Sequence, residues 1–189
     1  LNEGDSREMV MMATSPDFKT WTKSRTFYLR GADYGYEKND FRDPFVFRGD
    51  DNLYHMLVSA KKGGKGVPAE WTSTDMKEWN HKGVFMTYMW DRFYECPDVF
   101  KMGDWWYMVY SEQHNAIRRV QYFKGRTLDE LKACTRNDAG LWPDAHEGFL
   151  DSRGLYAGKT ASDGTNRYIW GWCATRSGKD NTKALEWAG

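Results

Sequence analysis

Two short stretches carry the residues best able to do chemistry. One is Arg42-Asp43-Pro44, which runs into Phe45-Val46-Phe47; the other is Tyr94-Glu95-Cys96-Pro97-Asp98, which runs into Val99-Phe100. Each sets a carboxylate directly before a proline or one residue away from it. Proline fixes its own φ and steers the residue before it to extended backbone, so Asp43 and Cys96 are expected at the approaches of strands. A carboxylate at a strand entrance can point into a cleft, and two on matched elements can supply acid–base chemistry or stabilise a developing cation. The plain alternative is a pair of turns that only begin strands. Recurrence in matched surroundings weighs against it.

The elements that would position these residues are strands. Residues 9–14 read as a short buried strand ending in the turn Ser15-Pro16-Asp17, and 18–23 close onto the next strand. Residues 31–40 read as a loop leading to Arg42. Phe45-Val46-Phe47 and 53–59 make a hairpin, as do 99–102 and 105–111 around Gly103-Asp104. Lys61 to Lys65 reads as a solvated glycine–lysine loop. Thr127 is a helix cap for one short turn through Ala133, and 168–173 form a further strand. A long helical period is lacking, so the chain is expected to be mainly β.

The pattern repeats. Thr14-Ser15-Pro16-Asp17-Phe18-Lys19-Thr20-Trp21 matches Thr72-Ser73-Thr74-Asp75-Met76-Lys77-Glu78-Trp79 at an offset of 58 residues. Pro44-Phe45-Val46-Phe47 with Tyr54 matches Pro97-Asp98-Val99-Phe100 with Tyr107 at an offset of 53, and Tyr107 matches Tyr168 at 61. Units of four short strands at this spacing are the blades of a β-propeller, whose inner strand starts converge on the central axis. The 189 residues hold roughly three such units. Propellers close with about four to eight blades, so the chain is expected to be one piece of a larger propeller.

Composition narrows the partners. Lys plus Arg and Asp plus Glu are both 27, a formal net charge of zero, which gives no basic excess for nucleic acid or acidic membranes. Aromatic residues make up 16%, enough for β-rich cores and for a surface that stacks on sugar rings. Cys96, Cys134 and Cys173 are widely spaced and form no metal pattern with the four histidines. No cofactor or metal is expected. An apolar run of membrane-spanning length is absent.

Arg42-Asp43-Pro44 and Glu95-Cys96-Pro97-Asp98 together resemble the internal signatures of glycoside hydrolase family 32, the invertase, levanase and inulinase group. Tyr156-Ala157-Gly158-Lys159-Thr160, then Ile169-Trp170-Gly171-Trp172 and Glu186-Trp187-Ala188-Gly189, resemble further segments of that family in order and spacing. The resemblance runs from about residue 9 to the end. It implies a five-bladed β-propeller with the site at its axis and a carbohydrate substrate, a β-fructofuranoside of the sucrose, levan or inulin type. It implies Glu95 as general acid/base and Asp43 as stabiliser of an oxocarbenium-like transition state, with Arg42 beside it. Tyr94, Asp151 and Lys159 are implied as sugar contacts. Two departures stand out. The family's nucleophile lies in an Asn-Asp-Pro motif that this sequence lacks, since Asn39-Asp40-Phe41 has no proline. Tyr94 also stands where the family usually has Trp. The nucleophile and the remaining blades are expected from missing residues of the same protein. An inverting furanosidase of arabinanase-like type and a propeller that binds glycans without cleaving them are the other readings.

Overall fold

The computed structural model describes residues 8–86, 93–114, 117–134, 147–150, 154–176 and 184–188. Strands β1 (Val10–Thr14) and β2 (Thr22–Leu29) pair with each other. Strands β3 (Arg42–Arg48), β4 (Tyr54–Lys62), β5 (Lys65–Ser73) and β6 (Asn80–Val84) form a four-stranded antiparallel sheet in chain order. A second such sheet contains β7 (Phe93–Met102), β8 (Trp105–His114), β9 (Ile117–Gly125) and β10 (Glu147–Phe149), with helix α1 (Leu128–Ala133) between its last two strands. Strands β11 (Leu155–Ser162), β12 (Arg167–Arg176) and β13 (Ala184–Ala188) pair in the same manner. The expected all-β architecture of propeller blades is what the chain forms. Among the described residues no helix is long and apolar enough to cross a membrane.

The β3–β6 sheet is buried on both faces. Met56, Val58 and Ala60 alternate along β4 to pack with Trp71 against Val10, Leu29, Tyr36 and Phe41 on one side. Leu57, with Phe47, Phe85 and Met86, packs on the other side against Val99, Trp106, Met108 and Phe123 of the β7–β9 strands. Stacked sheets with interdigitated faces are what hold neighbouring blades in register.

The sequence repeat at offset 58 is a structural one. Asp17 Oδ1 accepts from the N–H groups of Lys19 and Thr20, and Asp75 Oδ1 from those of Lys77 and Glu78. Phe18 and Met76 both adopt positive φ, and the indoles of Trp21 and Trp79 donate back to their carbonyls. Thr127 caps α1 as its position predicts, accepting from Glu130 N–H at 3.1 Å.

The Lys61–Lys65 loop is smaller than expected. Lys62 pairs with Lys65 in the β4–β5 ladder, leaving only Gly63 and Gly64 as the turn, both at positive φ. Such two-residue turns need left-handed backbone at both positions, which glycine supplies without steric cost. Lys61 therefore belongs to a strand, and its ammonium reaches Asp40 at 2.6 Å.

Candidate active site

The first strand of each of three sheets carries the same defect. Between Arg42 and Phe45 the β3–β4 register slips by one, so that Asp43 and Pro44 face the single residue Val58. Cys96 and Pro97 likewise face Tyr110, and Ala157 and Gly158 face Gly171. These are β-bulges, which bend a strand and re-aim its side chains. The leading residue of each is left-handed: Asp43 at φ 58°, Cys96 at 52° and Ala157 at 53°. The extended backbone expected for Asp43 and Cys96 ahead of their prolines is thus overturned. Non-glycine residues in this region cost about 1–3 kcal/mol each and persist where surrounding structure over-determines them. Proline fits the second bulge position because no ladder hydrogen bond is required of it there.

Aligning the bulges gives equivalent positions. Arg42, Glu95 and Tyr156 come immediately before them, and Phe45, Asp98 and Lys159 immediately after. Asp43 is therefore the counterpart of Cys96, and Glu95 the counterpart of Arg42.

The three preceding side chains meet. Arg42 Nη2 donates to Glu95 Oε1 at 2.8 Å, and the Tyr156 hydroxyl donates to Glu95 Oε2. Glu95 keeps 13% of its side chain exposed, so it is held yet reachable. Arg42 is fixed from further sides: Nη1 donates to Asp40 at 2.9 Å and Glu8 at 3.2 Å, and the guanidinium lies 4.4 Å from the centroid of the Phe93 ring. Burial works against its charge, but the hydrogen bonds to Glu95 and Asp40 prevail and hold its pKa above the ordinary value. Partial burial likewise opposes ionisation of Asp40, and the bonds from Lys61 and Arg42 outweigh it and keep its pKa low.

Asp43 reaches across to the strand that carries Glu95. Asp43 Oδ2 accepts from the N–H of Cys96 at 3.0 Å, one residue from Glu95. Burial, and then the Asp43 charge, push the Cys96 thiol up to about 12. Lys159 donates to the carbonyl of Pro97 at 2.7 Å and lies over the Phe45 ring, and its burial pushes its pKa down. Tyr94 is elsewhere. Its ring is fully buried, packed 4.9 Å from Tyr110, and strand alternation turns it to the core while Glu95, on the opposite face, keeps part of its side chain exposed. Asp151 lies outside the described residues.

Sequence reasoning missed Tyr156 as a partner of Glu95, although the offset of 61 between Tyr107 and Tyr168 also links Glu95 to Tyr156. It also passed over Asp98, which is 1% exposed and accepts from Thr160 N–H at 2.6 Å, tying β7 to β11. Burial pushes the Asp98 carboxyl up against that bond. Glu8 and Lys61 carry no local signal, because the Glu8–Arg42 and Lys61–Asp40 contacts span 34 and 21 residues, and only Asp40 is a near neighbour of Arg42 in the chain.

Comparison with known proteins places the chain in a family. The Glycosyl hydrolases family 32 N-terminal domain matches residues 2–189. An insoluble β-fructofuranosidase isoenzyme of Arabidopsis thaliana is 30% identical over 93% of this chain and 33% of its own length. A sucrose-6-phosphate hydrolase of Vibrio alginolyticus is 42% identical over 60% of this chain and 27% of its own. The chain thus spans about a third of the curated relatives it matches. Among solved structures, the Bombyx mori GH32 β-fructofuranosidase BmSUC1 superposes with a TM-score of 0.63 at 21% identity, covering 86% of this chain and 36% of that one. Fructan 1-exohydrolase IIa from Cichorium intybus gives 0.63 at 20%, over 85% and 33%. Both share the fold. A family match over nearly every residue, together with the paired Asp43 and Glu95 bulges, identifies the chain as a member of glycosyl hydrolases family 32.

Proposed function

We propose that this chain is the central part of an enzyme that hydrolyses β-fructofuranosides with retention of configuration. Glu95 protonates the leaving oxygen and later takes a proton from water. Asp43 binds fructose hydroxyls and stabilises the oxocarbenium-like transition state. The observation that carries this reading is a partly exposed carboxyl, Glu95, clamped on both oxygens, with Asp43 bonded to the N–H of the next residue, Cys96. Arg42 serves the acid/base directly and Lys159 the sugar. Tyr94, buried against Tyr110, supports the strand instead of touching sugar. Asp151 is kept as a sugar contact by the family resemblance alone. The names of the relatives, β-fructofuranosidases, sucrose-6-phosphate hydrolases and a fructan exohydrolase, support a fructosyl substrate.

Retention needs a second carboxylate as nucleophile, with the two carboxyl groups roughly 5–5.5 Å apart. The family carries it on the Asn-Asp-Pro motif, which this sequence lacks, so we assign it, and the remaining blades, to further polypeptide of the same protein. The test is fructose release from sucrose and a fructan by the full-length protein. Glu95→Gln is expected to lower kcat by about 10²- to 10⁴-fold, and less for a fructoside with a good leaving group. Near-full kcat on sucrose would exclude Glu95 as the acid. Failure of the unaltered protein to cleave a glycan that it binds would favour the non-cleaving reading.

A further inference from the structure

The two oxygens of the Glu95 carboxyl face chemically different neighbours. Oε1 accepts from the Arg42 guanidinium and Oε2 from the Tyr156 hydroxyl. A guanidinium carries only donors and keeps its charge, whereas a phenol can donate or accept and its O–H can turn. A proton on Oε1 would therefore confront an N–H that has nowhere to go, because Asp40, Glu8 and the Phe93 ring hold Arg42 in place. A proton on Oε2 meets a hydroxyl that can adjust. Taking Glu95 as the acid/base proposed above, the geometry points to Oε2 as the oxygen that carries the transferable proton and to Tyr156 as the residue that positions it.

The step balances simply. The Oε2–H bond breaks as an O–H bond forms on the leaving oxygen, and the glycosidic C–O electron pair departs with that oxygen. In the second half-reaction a water proton returns to Oε2. The hydrogen bond from Tyr156 strengthens as Oε2 becomes anionic, so its contribution grows toward the transition state. Tyr156 is a positioning residue acting through Glu95. Its delivery depends on β11, which the bond from Thr160 N–H to Asp98 fixes against β7.

The experiment is Tyr156→Phe in the full-length enzyme, alone and combined with Glu95→Gln, with folding checked by thermal melting. The expected result is a fall in kcat on sucrose of about 10- to 100-fold with KM little changed. The alkaline limb of kcat/KM should move up by about one pH unit. The loss should shrink on fructosyl fluoride, whose leaving group needs no proton, and nearly vanish in the Glu95→Gln background. A side chain that only fills space would leave the limb where it was. An unmoved limb in folded Tyr156→Phe, or a full second loss on top of Glu95→Gln, overturns the proposal. Full activity in Glu95→Gln alone would instead refute the acid/base assignment. Should Tyr156→Phe fail to fold, 3-fluorotyrosine at position 156 keeps the shape with a more acidic phenol. It must move the same limb to lower pH, and a stationary limb again overturns the proposal.

Discussion

Replacing Glu70 by Gln probes how two blades are held together. Glu70, with 5% of its side chain exposed, accepts from His55 Nδ1 at 2.8 Å and from Lys132 Nζ at 3.1 Å. His55 is equally buried, stacks on Phe47, and has Asp51 3.1 Å from its other nitrogen. The cluster thus joins β4 and β5 to α1 of the next sheet. Gln keeps the shape but removes the charge from both bonds, each worth about 1.5–3 kcal/mol as a hydrogen bond to a charged group. Lys132, 29% exposed, recovers much of its share from water. The net cost is therefore about 2–3 kcal/mol, a fall in Tm of roughly 4–12 °C at this domain size. The cost depends on pH. Burial disfavours the charge of His55, but its bonds to Glu70 and Asp51 prevail and raise its pKa above 6.5. Its contribution is complete below 6.5 and fades as pH rises through the folded value. Burial pushes Glu70 up, but the His55 bond and the Lys132 charge bring it below 4.5. That contribution is complete above 4.5 and is lost as pH falls through the folded value. The difference in Tm between the unaltered protein and Glu70→Gln should be largest between those limits, at about pH 5.5, and narrower at about pH 9.5. A gap that stays constant or widens with pH would refute an ionised His55 in the fold.

Three further outcomes are expected. From the role proposed for Asp43 on the transition-state cation, Asp43→Asn should lower kcat by about 10²- to 10³-fold whatever the leaving group; recovery on an activated fructoside would contradict that role. Gly125→Ala should destabilise by about 1–3 kcal/mol, since a Cβ there would lie 2.5 Å from Leu131 N and 2.9 Å from the Glu130 carbonyl carbon. An unchanged melting temperature would mean that α1 docks otherwise. Iodoacetamide near neutral pH should label the exposed Cys173 well before Cys96, whose thiol is held at about 12; equal labelling, read by peptide mass spectrometry, would count against its burial.

Much of the fold was legible because blades announce themselves through local chemistry: the Ser-x-Asp turns, the glycine hairpins and the Thr127 cap each act within a few residues. Asp43 and Glu95 were legible through their prolines. The offset of 53 already set Asp43 against Cys96, but it did not disclose the bulge that gives both a left-handed backbone, because the extra unpaired residue leaves no mark in the hydrophobic pattern. Proline's steric preference also misled at both sites, since a bulge held by neighbouring strands overrides a local φ bias. Tyr94 misled for a simpler reason: neighbours in a strand point to opposite faces. Asp40 lies two residues from Arg42, but Glu8 and Lys61 join that pair only when distant segments fold together, and charge spacing along the chain does not disclose them.

The triple bulge separates the holder from what is held. One backbone device presents a guanidinium at 42, a carboxyl at 95 and a phenol at 156, and their roles differ only in the side chain each blade brings. Substitutions at these three positions can alter the reactive set while the sheets around them stay as they are. Substitutions at Pro44, Pro97 or Gly158 do the reverse, disturbing the holder without touching a reactive atom. A redesign of this centre would therefore vary the first group and leave the second alone.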